Sequence, residues 1–233
     1  MISDQAEYDL RCEWGLAGLE ALAPASDAVI IVDVLRFSTA VDIAVARGAA
    51  VLPYRWRDPS AQAYAAAKGA SLASLSPVAM RSVAAGAAVL LPSPNGSTLA
   101  MSTASAPVFT ACLRNCRAVA AHVCRHGSHI AVIPAGERWS DGSLRPAIED
   151  LIGAGAVLAA FPGRLSPEAE AAVAAFERFR HDLHDALARS TSGQELIARG
   201  LGEDVALAAE YAVSEAVPVM REDRFVNATA RSL

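Results

Sequence analysis

Apolar runs alternate with helical patterns along the whole chain, which is typical of an α/β fold. Residues 29–32 form a β-branched run without a polar position, as expected for a central strand covered by helices. A helix is predicted over residues 38–47, with Ser38 or Thr39 as the N-cap and Gly48 as the stop. The pattern predicts a largely parallel or mixed sheet with helices on both faces.

The remaining pattern extends this order of elements to the end of the chain. Residues 148–160 form a predicted helix, residues 166–189 a single long amphipathic helix, and the C-terminal region is mainly helical. No repeat or linker marks a boundary, so residues 1–233 are expected to form one α/β domain or two closely packed lobes. Further strands are predicted at 51–54, 89–91, 108–110 and 130–133, further helices at 58–69, near 99, from 115, at 194–199 and at 204–211, and a hairpin or edge strand pair at 217–220 and 224–226.

Composition narrows the classes of partner. The chain has 233 residues, 53% of them hydrophobic and 19% charged, with a formal net charge of −5 and a pI near 5.5. A negative net charge and a low pI do not favour binding to nucleic acid or to an anionic membrane surface, so neither is expected as a partner. A homo-oligomer is compatible with this composition. The first residues lack the features of a secretory signal and no long apolar run occurs, so a cytoplasmic protein is expected. The cysteines at 12, 112, 116 and 124 lack CxxC spacing and are expected to be reduced.

Acidic residues stand where predicted strands end or a helix begins. Asp33 follows the first central strand, Glu137 follows the strand at 130–133, and Glu149 and Asp150 open a helix. In open α/β sheets the ligand crevice lies outside the carboxyl ends of the strands, so Asp33 and Glu137 are expected to converge. Carboxylates of this kind suit Mg²⁺. The alternative is that they act separately as helix caps and surface ion pairs.

Two further segments could bind an anion. Residues 93–98 form a turn in which Asn95, Gly96, Ser97, Thr98 and the following N–H groups could hold phosphate oxygens, although a plain turn explains the same residues. Arg36 lies just before Ser38 and Thr39 and could grip an oxyanion bidentately, or pair with Asp33 or Asp42 instead.

Taken in order, these segments resemble the 2-phosphosulfolactate phosphatase family over about residues 8–160. The matching blocks are residues 31–40, which include Asp-Val-Leu-Arg, then Asn-Gly-Ser at 95–97, Ala-Gly-Glu at 135–137, and residues 148–155. The resemblance implies a Mg²⁺-dependent phosphatase that releases phosphate from a small phosphorylated acid, a step in coenzyme M synthesis. By position it implies Asp33, Arg36, Glu137 and Asp150 as catalytic residues, Asp33, Glu137 and Asp150 as metal ligands, and Ser38, Thr39, Asn95, Gly96, Ser97 and Thr98 as substrate contacts.

Two departures from the family pattern concern specificity. Residues 74–77 read Ser-Leu-Ser-Pro where the family has Gly-Asn-Ser-Pro, and Ser93-Pro94 replaces a Thr-Thr pair before Asn95. An altered substrate pocket is therefore expected. A non-catalytic anion-binding protein on the same scaffold is the alternative function, whereas a nicotinamide-dependent oxidoreductase is disfavoured because no glycine-rich turn follows the first strand.

Overall fold

The computed structural model describes residues 4–102 and 105–229 of the chain. In these residues it has eleven strands: β1 Leu10–Cys12, β2 Ala28–Val32, β3 Ala50–Tyr54, β4 Ser71–Leu72, β5 Ala88–Pro92, β6 Val108–Ala111, β7 Ile130–Pro134, β8 Glu137–Arg138, β9 Leu144–Arg145, β10 Pro218–Arg221 and β11 Arg224–Asn227. The helices are α1 Gly15–Leu22, α2 Phe37–Ala46, α3 Ser60–Ala67, α4 Pro77–Met80, α5 Gly96–Ala100, α6 Cys116–Val123, α7 Ile148–Leu158, α8 Pro167–Phe179, α9 Leu183–Arg189, α10 Thr191–Ala198 and α11 Gly202–Ala208, and a short 3₁₀ helix spans Ala23–Ala25.

Nine of these strands form one mixed sheet in the order β1-β7-β2-β6-β10-β11-β3-β5-β4, which confirms the predicted fold class. The strands β1, β7, β2 and β6 are mutually parallel, and so are β3, β5 and β4. The antiparallel hairpin β10–β11 joins the two parallel blocks. The C-terminal hairpin is therefore inside the sheet and not at its edge, where one of the two sequence interpretations put it.

Alternating side chains of the central strand divide the core between the two faces of the sheet. Ile30 and Val32 pack into one buried cluster with residues of α6 to α11, whereas Val29 and Ile31 pack into another with α1, α2 and α5. Every side chain of β2 is buried, as a strand covered on both faces requires. Helices on both faces of the sheet were predicted and are confirmed.

The long helix predicted over residues 166–189 is wrong, because the chain turns after Arg180 and forms two helices. A straight helix of that length would extend for about 36 Å. The turn instead brings Leu183 and Leu187 of α9 into the same cluster as Phe176 of α8. None of the helices in the described residues has both the length and the apolar character that a membrane span requires.

Helix α7 packs closely on both sides through its glycines. A methyl group at Gly153 would lie 2.5 Å from a methyl carbon of Val34 and 2.9 Å from one of Val32. A methyl group at Gly155 would lie 2.0 Å from the carbonyl oxygen of Ala172 in α8. Gly153 therefore allows α7 to approach the sheet closely, and Gly155 allows α8 to approach α7. This packing positions the first turn of α7 beneath the site.

Candidate active site

Asp33 follows β2 directly and connects two loops of the site. Its Oδ1 accepts a hydrogen bond from the backbone N–H of Phe37 at 3.0 Å, and its Oδ2 accepts one from the N–H of Gly96 at 3.0 Å. The loop after β2 is thereby tied to the loop after β5. Burial raises the pKa of Asp33, and the two N–H groups oppose that rise by favouring the charged form.

Glu137 lies three residues beyond β7, the neighbour of β2 in the parallel block. Its Oε2 accepts a hydrogen bond from Nδ2 of Asn95 at 2.8 Å. Burial, followed by the negative charge of Asp33, raises the pKa of Glu137 to about 7. A carboxyl group with such a pKa can take up or release a proton near neutral pH.

Asp33, Arg36, Asn95 and Glu137 line one cavity of about 170 Å³, so these four predicted site residues do converge. The first three come from the loops after β2 and β5, and the fourth is the first residue of β8, the short strand that follows β7. The rest of the lining is supplied by Leu35, Arg57, Leu75, Pro94, Ser192, Glu195, Leu196 and Arg199.

Arg36 is held in place from outside the cavity. It is 8% exposed, and its Nη1 donates to Oδ2 of Asp204 in α11 at 2.6 Å. Oδ1 of Asp204 in turn accepts from the Ser76 hydroxyl at 2.6 Å and from the N–H of Val78 at 3.2 Å. The partner of Arg36 is therefore Asp204, and neither Asp33 nor Asp42 as the sequence suggested. The Leu35–Arg36 peptide bond is cis.

Sequence reasoning missed Arg57, Ser192 and Arg199, which line the same cavity. Arg57 follows β3 and donates from Nε to the carbonyl oxygen of Pro92 at 3.3 Å. Ser192 and Arg199 lie at the two ends of α10. Arg57 stands only a few residues beyond a predicted strand, which was a usable signal, whereas a serine and an arginine on a polar helix carry none.

Asp150 does not line the cavity, although the resemblance implied a catalytic and metal-binding role for it. Its Oδ1 accepts from the N–H of Val34 at 2.7 Å and its Oδ2 from the N–H of Gly136 at 2.9 Å. Burial, and then the charges of Asp33 and Glu149, raise its pKa well above the ordinary value. Asp150 therefore fixes the backbone behind Asp33 and Glu137.

The hydroxyl groups predicted to contact substrate are used inside the protein. Ser38 and Thr39 are fully buried and do not cap α2, whose N-cap position is Arg36. Ser38 Oγ accepts from the N–H of Asp33 at 2.9 Å, and Thr39 donates to the carbonyl oxygen of Val34 at 2.7 Å. These two side chains shape the loop after β2 and do not reach the cavity.

The hydroxyl groups of the turn after β5 also form hydrogen bonds within the protein. Ser97 is fully buried and donates to the carbonyl oxygen of Leu91 at 3.0 Å, and Thr98 donates to that of Pro94 at 2.7 Å. The N–H of Gly96 is taken by Asp33, and a methyl group at Gly96 would lie 2.3 Å from a ring carbon of Phe37. Of this turn, Asn95 and Pro94 line the cavity.

The donor set suits a magnesium ion with few protein ligands. Within residues 4–102 and 105–229 there is no group of three or more His, Cys, Asp or Glu side chains arranged to hold a metal ion. Mg²⁺ commonly takes only one or two carboxylates and completes its shell with water and substrate phosphate. Asp33 and Glu137 fit that description, because they are two acidic side chains that line the same cavity. Asp150 does not line the cavity, so it does not fit.

The sequence model of the family described as 2-phosphosulpholactate phosphatase matches residues 19–223. The 2-phosphosulfolactate phosphatase of Methanothermobacter thermautotrophicus is 32% identical over 139 residues, which cover 60% of this chain and 58% of that protein. Probable 2-phosphosulfolactate phosphatases of Pseudothermotoga lettingae and Gloeobacter violaceus are 28% and 32% identical over 139 and 135 residues, covering 59% and 58% of this chain and 59% and 56% of those proteins. The aligned part thus spans less than two thirds of each relative.

Proposed function

Because the chain belongs to the 2-phosphosulfolactate phosphatase family, we propose that it hydrolyses a phosphate monoester of a small hydroxy acid. The observation that carries the proposal is the cavity in which Asp33 and Glu137 face the guanidinium groups of Arg36, Arg57 and Arg199. A phosphate ester needs cations around its oxygens and a carboxylate to handle the proton of the attacking water. Both are present within one small space.

Arg36 and Asp33 have different roles in binding the phosphate. Arg36 is buried and held by Asp204, so it presents its remaining N–H groups to an oxyanion with little loss of side-chain freedom. Asp33 is held by two backbone N–H groups and keeps the loops after β2 and β5 together. The phosphate therefore binds between Arg36 and the Asn95 turn.

Glu137 is the group that exchanges the proton. Asn95 holds its Oε2, which leaves Oε1 free to accept a hydrogen bond from water in the cavity. Without a cation the pKa of Glu137 is raised to about 7, and a bound Mg²⁺ would favour its charged form. The carboxylate takes the proton of the attacking water as the bond to phosphorus forms and the ester P–O bond breaks, and the departing alkoxide takes a proton from solvent to leave as the hydroxy acid. Arg36 stabilises the charge on the phosphoryl oxygens during this step.

Mg²⁺ is proposed as the cofactor, held by Asp33 and Glu137. Bound there, it would neutralise the phosphate charge and favour attack by water. The support is the pairing of two acidic side chains in one cavity, each with a pKa raised by burial and neither in contact with a basic side chain within hydrogen-bond distance in the described residues.

The test is hydrolysis of p-nitrophenyl phosphate and 2-phosphosulfolactate with Mg²⁺ and with EDTA. We expect activity with Mg²⁺ and a loss of at least about a hundredfold in Asp33→Asn, because a carboxylate acting in the transition state contributes several kcal/mol. Asp141→Asn, at an exposed loop position, is the matched control. A wild type without activity toward any phosphate ester would leave the alternative, a non-catalytic anion-binding protein, as the better description.

The natural substrate need not be 2-phosphosulfolactate, and coenzyme M synthesis is the pathway implied by resemblance alone. Leu75 lines the cavity together with Arg36 and Arg57, and it stands at the position where the family pattern has an asparagine. An apolar side chain there cannot donate to a substrate oxygen. We therefore expect Leu75→Asn to raise kcat/KM for 2-phosphosulfolactate about tenfold relative to other phosphorylated hydroxy acids.

A further inference from the structure

The lining of the cavity includes a residue whose buried side-chain oxygen has no hydrogen-bond partner in the described residues. Ser192 is 4% exposed, and its Oγ forms no hydrogen bond within the described residues. A buried hydroxyl without a partner costs free energy, and native proteins rarely keep one unless something else binds it. Since Ser192 lines the cavity, a ligand atom is the natural partner.

Two arginines that line the same cavity form no ion pair within the described residues. Arg199, at the other end of α10, forms no side-chain hydrogen bond or ion pair within residues 4–102 and 105–229, and Arg57 is bonded only to the carbonyl of Pro92. Arg36, by contrast, is already paired with Asp204. All three arginines line the same cavity. Burial, and then the positive charge of Arg36, lowers the pKa of Arg57. Asp33, Glu137 and Glu195 line the cavity as well, but none of them forms an ion pair with Arg57 or Arg199 in the described residues.

We infer that Ser192, Arg57 and Arg199 form a second oxyanion subsite, which binds a carboxylate or sulfonate group on the same molecule that presents its phosphate to Arg36. The inference rests on the proposed function, and it assigns specificity to α10 and to the loop after β3. A substrate with a second anion would supply an acceptor for the Ser192 hydroxyl and would neutralise Arg57 and Arg199. A simple alkyl phosphate would leave all three without a partner.

The subsite can be tested by binding alone, with probes that cannot be hydrolysed. Phosphonoacetate and phosphonomethanesulfonate carry a carboxylate or a sulfonate beside a phosphonate, whereas ethylphosphonate has the phosphonate only. In calorimetric titrations of the full chain with Mg²⁺ present, we expect at least one of the two probes that carry a second anionic group to bind at least about tenfold more tightly than ethylphosphonate. The better of the two identifies the preferred second anion. Equal affinity for all three probes would overturn the inference.

Two pairs of variants on neighbouring positions separate recognition from folding. Ser192→Ala should reduce the ratio of affinities for the probe with a second anionic group and for ethylphosphonate about threefold. It should not lower Tm, because no internal hydrogen bond is lost. Ser190→Ala should lower Tm and keep the preference, because Ser190 Oγ caps α10 by accepting from the N–H of Gly193 at 3.0 Å. Arg199→Gln should reduce the preference about tenfold. Arg189→Gln, whose arginine pairs with Asp185 on α9, should not change it.

A preference that drops in Ser192→Ala or Arg199→Gln and persists in both controls supports the subsite. A preference unchanged in both cavity variants, or lost equally in the controls, overturns it. The kinetic counterpart is the ratio of kcat/KM for 2-phosphoglycolate and ethyl phosphate. Tight, selective binding without turnover would contradict the proposed phosphatase activity and leave the subsite standing, whereas turnover without selectivity would do the reverse.

Discussion

Replacement of Asp204 by asparagine tests whether the Arg36–Asp204 pair holds the site in shape. Asp204 is 1% exposed and joins α11 both to the loop after β2, through Arg36, and to the start of α4, through Ser76 and Val78. An asparagine can still accept hydrogen bonds from Ser76 and Val78 through its Oδ1. Its Nδ2 would then face Nη1 of Arg36, a donor against a donor, and the guanidinium would be left buried without a counter-charge.

The size of the effect follows from the burial of the pair. Removing one partner of a buried ion pair usually destabilises a protein by about 3–5 kcal/mol, because the other charge stays desolvated. Two of the contacts of Asp204 survive in the asparagine variant, so the lower end, about 3 kcal/mol, is appropriate. For a chain of this length each 1 kcal/mol lowers Tm by roughly 2–4 °C, so a decrease of about 6–12 °C is expected.

The assay is thermal unfolding of the wild type, Asp204→Asn and a matched control, Asp185→Asn. Asp185 accepts from Nε of Arg189 at 2.8 Å, and both side chains are more than half exposed. Exposed pairs of this type contribute well under about 1 kcal/mol, so the control should lower Tm by about 2 °C at most. Below both transitions, Asp204→Asn should also lower kcat/KM at least tenfold, because Arg36 loses its fixed position. Equal Tm values for the two variants would refute the reasoning.

Three further predictions concern the same site. Gly96→Ala should lower Tm and abolish activity, because the added methyl group would lie 2.3 Å from a ring carbon of Phe37 and 2.8 Å from Oδ2 of Asp33. The control Gly202→Ala should leave Tm and activity unchanged, because its added methyl group would lie 3.7 Å from a side-chain carbon of Ile197. In EDTA, the free energy of unfolding should fall as pH rises from about 4.5 to about 7, because the raised pKa of Glu137 makes the folded state bind the proton more tightly than the unfolded state does. This contribution to stability is lost once the proton leaves. Glu137→Gln should flatten the profile of Tm against pH in this range, and an unchanged slope would contradict the assignment. Mg²⁺ should raise Tm more at about pH 8 than at about pH 5, since cation and proton compete for the same carboxylates, and Asp33→Asn should remove this difference.

Periodicity and local composition determined the class of the fold and the centre of the site. The apolar run before Asp33 favours a strand buried on both faces, because four of its five side chains are β-branched and none is polar. Polar side chains placed where such strands end have few options other than a shared crevice, so the order of residues along the chain is enough to group Asp33, Arg36, Asn95 and Glu137.

Only the tertiary structure decided which of the remaining polar residues face that crevice. Ser38, Thr39 and Ser97 have the sequence signature of ligand contacts, yet packing of α2 and α5 onto the sheet buries them and gives their hydroxyls internal partners. Local sequence cannot distinguish a hydroxyl that bonds its own backbone from one that bonds a ligand, because both occur at the start of a helix.

The contribution of the C-terminal region was equally invisible in the sequence. Asp204 meets Arg36 across 168 positions of the chain, and Ser192 and Arg199 reach the cavity only because the break after Arg180 turns α9 and α10 back over the sheet. Periodicity reports which face of a helix is apolar, and it contains no information about which distant loop that helix will cover. Contacts of such long range are set by the packing of the whole core.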